Sequence, residues 1–531
     1  ITGEGAQPQV SLDVAALGGM YANKIRLVGT EKGVGVVNNG NLASAGDFSL
    51  TSEGNILLAG QTTAGGNLSV RTGGDIENQN TLYSQGSMAL AVAGRMTNSD
   101  VIIADQLTIT AGDLLNAGAA AVIATTNETG AANFFVSNSL ENRNGAAIYS
   151  MGDILVAGSL NRDSSGTYID RTASVLNESS TIEAGRDLTI AADTITNKKR
   201  VFVAEEQVVG TPITVTNEQI APPPGYIRAY ATYTETVEET VVTENSRPGW
   251  ILAGRDMTIS ANDMSNEHST IAVGSNLAID VANELVNLAR EGAHIVTQNG
   301  TQAMVRVERW CAGGEVLGRC IRWADHEVTD YAAYTPTPSV DSFALPEGAA
   351  IIAAGNQLTV NAGAINNITE GPGGSTTALG SIPNDTANLP DLTFTRPQGG
   401  LVKPADPNHT YLIETNPLFT NLKNFMSSDY MLDRLAYDPA MTQKRLGDGF
   451  YEQQLILDQV LQLTGKRYLD NNGGAEGQFQ ALMDAGVVYA QAFDLKVGVG
   501  LSAEQMAQLT TDMVWLVEKE VQGQKVLAPV V

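Results

Sequence analysis

Several things are scarce in this chain of 531 residues, and each scarcity excludes something. Aromatic residues make up only 6% of it, although 43% is hydrophobic and 54 residues are Gly. Many small side chains and few large ones suit a narrow, regular interior rather than a broad globular one. Positive charge is thin: 31 Lys and Arg against 58 Asp and Glu leave a formal charge of −27 and a pI near 4.4. A chain that must neutralise phosphates needs the opposite balance, so nucleic acid is excluded as a partner and an anionic membrane surface is disfavoured. No apolar run approaches the roughly 18 residues of a membrane span, and no signal peptide opens the chain at Ile1.

Histidine is rarer still. His268, His294, His326 and His409 are dispersed, and none stands in a nucleophile or zinc pattern. Only two cysteines occur, Cys311 and Cys320. With one histidine nearby they fall short of four spaced metal ligands, so no metal and no cofactor is expected. Two short strands, "MVRVERW" and "IRWADHEV", flank the pair across a Gly-containing tip and would place the thiols opposite one another. A disulfide is the expected outcome, which implies passage through an oxidising compartment.

What the chain has in quantity is repetition. The phrase "TIEAGRDLTIAADTITN" (Thr181 to Asn197) returns as "WILAGRDMTISANDMSN" (Trp250 to Asn266). Anchoring on the apolar residue after each Gly turn gives Phe48, Leu68, Met88 and Leu107, steps of 20, 20 and 19 residues, and the register reappears at Leu188, Met257, Leu277 and Leu358. About ten residues further on, an apolar-x-Asn column runs through Asn78, Asn98, Asn116, Asn197, Asn266, Asn287 and Asn367. Each unit therefore holds three short strands, apolar inward and Thr, Ser or Asn outward, which only stacking can bury. The expected fold is mainly β: a right-handed parallel β-helix, its hand taken from the chirality of parallel crossovers. A leucine-rich horseshoe has similar period but needs denser Leu and a helical side, where this chain has Gly-Asp and Gly-Asn turns.

The rhythm breaks twice. The organisation expected is β-helix over 1–197, a hairpin insertion over 198–249, β-helix over 250–288, and a second hairpin insertion with the Cys311–Cys320 pair over 289–349. A last coil then follows over 350–367, a Gly/Pro/Thr-rich linker over 368–410, and an α-helical module over 411–531. Apolar spacing of three and four in the module reads as helix throughout, with Ser502 and Gln505 as a capping box and Trp515 in its core. The coils flanking the first insertion should be neighbours in space.

Catalysis finds no foothold. A sugar-cleaving β-helix would need carboxylates from adjacent coils converging on one face, whereas Asp187 and Asp256 belong to the turn formula. No residue is assigned a catalytic role, and the chain is not expected to be an enzyme. Specificity should sit where the repeat is interrupted, so Tyr226, Tyr230, Tyr233, Trp310 and Trp323 are the candidate contacts, with packing of the insertions as their alternative use.

The segment "LGGMYANKIRLVGTEKGVGVVNNGNL", the "AGRDLTI" units and the words "YLIETNP", "SSDYMLDRL", "QKRLGDGFYEQQLI", "LTGKRYL" and "LSAEQMAQLTTDMVWLVE" resemble filamentous haemagglutinin-type exoproteins of two-partner secretion, including contact-dependent growth inhibition effectors. The resemblance implies export through the periplasm and outer membrane by a dedicated transporter acting on a domain absent from this chain, and display at the bacterial cell surface. It further implies a monomeric internal segment that meets a receptor on a neighbouring bacterium, or a host-cell ligand, with any toxin elsewhere. A purely structural stalk is the alternative.

Overall fold

In the computed structural model, residues 10–531 are described except 16, 317, 373–375, 379–400, 421–424, 441, 470–473, 494 and 522. Most of the expected 368–410 linker lies outside the described residues. No helix among those described is long and apolar enough to cross a membrane.

The repeat builds a parallel β-helix shaft. Three strand columns stack coil on coil: Phe48 on Leu68, Met88 and Leu107 in one, Ile182 on Ile251, Ile271 and Ile352 in another, and Ile195 on Met264 and Leu285 in the third. Thr181–Ala184 pairs directly with Trp250–Ala253, so the twice-written phrase forms consecutive coils although about fifty residues intervene. The inward rows form one continuous core from Val14 to Leu285. Small residues hold the coils close.

The Asn column is a ladder. From Asn78 through Asn98, Asn116, Asn142, Asn177, Asn197, Asn266, Asn287 and Asn367, each Nδ2 donates to the next coil's Oδ1 at 2.8–2.9 Å. Most of these amides also donate to a backbone carbonyl, as Asn142 does to Thr181. The ladder thus satisfies polar groups inside the turn with the chain's own amides. Asn142 and Asn177 complete a series whose period two longer turns had obscured. One end is frayed: Leu58 occupies the rung between Asn38 and Asn78, and the Oδ1 of Asn78 is buried without a donor.

The two insertions are not separate hairpins. They merge into one six-stranded antiparallel blade made of β1 (Phe202–Val208), β2 (Ile213–Ile220), β3 (Arg228–Asn245), β4 (Gly292–Val316), β5 (Arg319–Tyr334) and β6 (Ser339–Phe343). The path runs β1-β3-β4-β5, with β2 also on β3 and β6 also on β4. The joint is β3 against β4, in register from Arg228 opposite Val305 to Glu239 opposite His294. Alternation in a sequence assigns faces to a strand but not partners, which is why two arms read as independent.

The C-terminal region corrects the expectation of an all-helical module. It is α+β: β7 (Val402–Pro404), β8 (Tyr411–Thr415), β9 (Arg445–Gly447), β10 (Trp515–Val521) and β11 (Gln524–Val530) form a sheet in the order β7-β8-β9-β11-β10. Helices α1 (Pro417–Thr420), α2 (Asp429–Arg434), α3 (Gly449–Thr464), α4 (Gly474–Phe493) and α5 (Ala503–Met506) accompany it. The Ser502–Gln505 capping box forms, with Gln505 N donating to Ser502 Oγ at 3.3 Å and Ser502 N to Gln505 Oε1 at 2.8 Å. It starts only one turn of helix. Beyond it, "WLVEKEV" alternates with period two and pairs with "QKVLAPV" through a turn at Gly523, φ +77°. Trp515 is buried in the module's core.

This module lies against the shaft. Tyr149 meets Phe419 and Phe450 edge-on, ring centroids 5.3 and 5.5 Å apart, while Leu461 packs with Leu252 and Ala272. Arg467 pairs with Glu183, both buried. Tyr468 covers Gly274, where a Cβ would meet the Gly254 carbonyl of the neighbouring coil at 2.2 Å and the Tyr468 ring at 2.4 Å, so both coil stacking and the module's approach need glycine there.

Candidate binding surface

Polar and aromatic contacts cross the blade from strand to strand. Gly300 lies between Tyr233 and Tyr334, whose rings cover the bare backbone with centroids 5.3 Å apart; a Cβ on Gly300 would sit 2.1 Å from the Thr232 carbonyl. Tyr233 donates to Glu218, and that bond to a carboxylate pushes its phenol up to about 12. It is 6% exposed. Tyr226 donates to Asp330 at 3.1 Å, and Arg306 reaches the same carboxylate at 2.7 Å. Both hydrogen bonds hold the Asp330 carboxyl below the usual range, the arginine's being the stronger influence.

Directly opposed residues of antiparallel strands share a face. Tyr331 faces Ala303, Thr329 faces Val305, Glu327 faces Val307 and Trp323 faces Cys311. Tyr230 is also opposite Ala303, and so belongs to this face. Ile321, two residues from Trp323, joins it. Tyr331, Ile321, Trp323 and Val307 are 79%, 66%, 56% and 47% exposed. Two ion pairs cross the same face, Arg228–Glu327 at 2.5 Å and Arg309–Asp325 at 3.4 Å. The reverse face is more covered, with Met304, Ala229 and Ala231 buried. Trp310 lies on it opposite Ala324, exposed, with its ring centroid 6.0 Å from that of His326.

The structure thus distributes the five candidate aromatics. Tyr233 is an internal strut. Tyr226 and Tyr230 are half-buried. Trp323 stands on the exposed face and Trp310 on the opposite one. The odd-numbered alternation of "CIRWADHEVTDY" marks Ile321 and Tyr331 as Trp323's neighbours, whereas Val307 joins the face only through its pairing with Glu327. Cys311 and Cys320 are joined at the blade tip, Cα atoms 5.6 Å apart. Among the described residues no cluster of His, Cys, Asp and Glu could hold a metal. The exposed face offers apolar area bordered by fixed charges, a composition suited to protein recognition.

Known proteins resemble the chain along most of its length. The haemagglutinin repeat family matches residues 9–133, 225–289 and 347–380. "Toxin CdiA" of Yersinia pestis is 30% identical over 448 residues, 72% of this chain and 13% of that protein. The chain belongs to the filamentous haemagglutinin-type exoproteins. "Toxin CdiA" of Escherichia coli is 24% identical over 585 residues, covering 88% of this chain and 17% of its own length. "tRNA nuclease CdiA-2" of Burkholderia pseudomallei (strain 1026b) reaches 51% identity, over 144 residues, 27% of this chain and 4% of its own. No solved structure matches. The chain spans less than a fifth of each of these relatives. As a haemagglutinin-repeat segment it is part of a secreted, cell-surface protein of two-partner secretion, and its β-helix is the stalk.

Proposed function

We propose that this segment is a non-catalytic display and binding element: the stalk carries the blade outward, and the blade's exposed face meets an outer-membrane protein on a neighbouring bacterium. The observation that supports this most is the grouping of Ile321, Trp323, Tyr331 and Val307 on one open face of a sheet that stands off the shaft. β4 alone has 25 residues, a reach of about 80 Å if fully extended, ample to carry a contact clear of the coils. The names of the relatives, toxins and nucleases, support delivery of an effector encoded outside these residues, and export by a dedicated outer-membrane transporter comes from the same family likeness. A host-cell ligand would use the same face.

The test is binding of the purified chain to intact target cells, comparing wild type with the double substitution Trp323→Ala and Tyr331→Ala. Both side chains point to solvent, so the fold should persist by circular dichroism while binding weakens at least tenfold, the loss of two anchors of about 1–2 kcal/mol each. Equal binding by both proteins would remove the face from consideration.

A further inference from the structure

Blade and shaft meet at a neck where three chain segments converge on one ammonium group. Lys199 immediately follows the shaft residue Lys198, and its side chain turns inward, 8% exposed. Its Nζ donates to Asn245 Oδ1 at 2.6 Å and to the backbone carbonyl of Glu347. The ring of Phe202 lies 4.8 Å from Nζ, and His268 packs against that ring with centroids 4.5 Å apart. Lysine is rarely buried without a carboxylate bonded to it; here the two acceptors, Asn245 Oδ1 and the Glu347 carbonyl, are neutral oxygens. Asn245 is fixed from its own side. It pairs with Phe202 across the β1–β3 ladder, and the next residue, Ser246, holds Val201 N at 3.0 Å and receives the Ser179 hydroxyl at 2.9 Å.

We propose that Lys199 and Asn245 are joined by an intramolecular isopeptide bond that closes the blade neck. The amine attacks the Asn245 carboxamide carbon, forming Nζ–Cγ while the Cγ–Nδ2 bond breaks. One proton passes from Nζ to Nδ2, which leaves as ammonia. The exchange of one amide for another needs no oxidant, reductant or co-reactant. Three features favour it. Burial, opposed by the charge of Glu347, brings the lysine down to about 8, so the neutral nucleophile is accessible near neutral pH. The fold supplies proximity that a bimolecular reaction lacks. Asn245 is exposed on its outer side, which gives ammonia a way out. Glu347 and His268 are the titratable groups whose charge acts on Lys199. The linkage would tie the last shaft residues of one coil to the end of β3, so that tension on the blade runs through covalent bonds rather than a few hydrogen bonds.

Intact mass and peptide mapping of the reduced full chain decide the matter. The expected wild-type mass is lower than the sequence mass by one ammonia, with the Lys199 and Asn245 peptides recovered as one branched species. Lys199→Arg and Asn245→Ala should each restore the full mass. Recovery of separate, unmodified Lys199 and Asn245 peptides from folded wild type would overturn the proposal. So would an ammonia loss that persists in Lys199→Arg, since that would report a succinimide elsewhere.

Discussion

One leucine interrupts the asparagine ladder, and replacing it gives an unusually sharp test of how the shaft is held. Leu58 is fully buried and occupies the rung between Asn38 and Asn78. Leu58→Asn removes apolar burial of about 2–3 kcal/mol. It also supplies a donor to the orphaned Asn78 Oδ1, relieving about 1–3 kcal/mol of unsatisfied desolvation, and its own amide enters a column built to bond amides. The terms nearly cancel, so the net change should stay within about 1 kcal/mol. Leu68→Asn is the control: Leu68 is equally buried but stacks between Phe48 and Met88. There the lost burial adds to an unsatisfied amide, for a cost of about 4 kcal/mol or more. A repeat array need not unfold in one step, so native-state hydrogen exchange on residues 36–98 is the suitable assay. Equal loss of protection in the two variants would refute the ladder argument.

Other consequences are equally concrete. Gly300→Ala should disrupt the β3–β4 register, because its Cβ would collide with the Thr232 carbonyl and with Tyr233; hydrogen exchange should show the blade loosened while the shaft stays protected. The C-terminal module should be more stable at pH 5 than at pH 8.5. Burial raises Glu452 to about 8 against the bonds from Ser428, and raises Asp458 to about 7, Glu183 adding to the shift and Arg467 and Arg247 opposing it. With folded values above unfolded ones, this contribution is full below about pH 4 and lost as pH rises through 7–8, on the order of a few kcal/mol; thermal melts following Trp515 fluorescence would read it. Reducing the Cys311–Cys320 bond should raise exchange at the blade tip, a local loss of roughly 2–3 kcal/mol, without moving the shaft transition.

The parts of the fold that repeat were legible because stacking imposes the same chemistry every twenty residues: an apolar anchor after a Gly turn, then an asparagine. Even the adjacency of the coils around Thr181 and Trp250 followed from that regularity. The blade's sheet was not legible as one body, since pairing of Arg228–Glu239 with His294–Val305 spans a long loop and leaves no local mark. Residues 514–530 misled for a different reason. A genuine capping box at Ser502 invites extension of the helix, but Val514, Trp515, Val517 and Val521 prefer extended backbone, and Val514 N is held by Leu482 O at 3.0 Å from α4. Among the contact candidates, Tyr233 has the same composition signal as Tyr331, yet pairing opposite Gly300 buries it.

In the function proposed above, recognition resides in the blade and the shaft only presents it. Because both insertions form one sheet, deleting either alone would expose the other; the informative variant excises residues 200–248 and 290–348 together. Binding of this variant to target cells should fall to background while the shaft's hydrogen-exchange protection remains. Undiminished binding with an intact shaft would contradict the claim and place recognition in the coils or the C-terminal module.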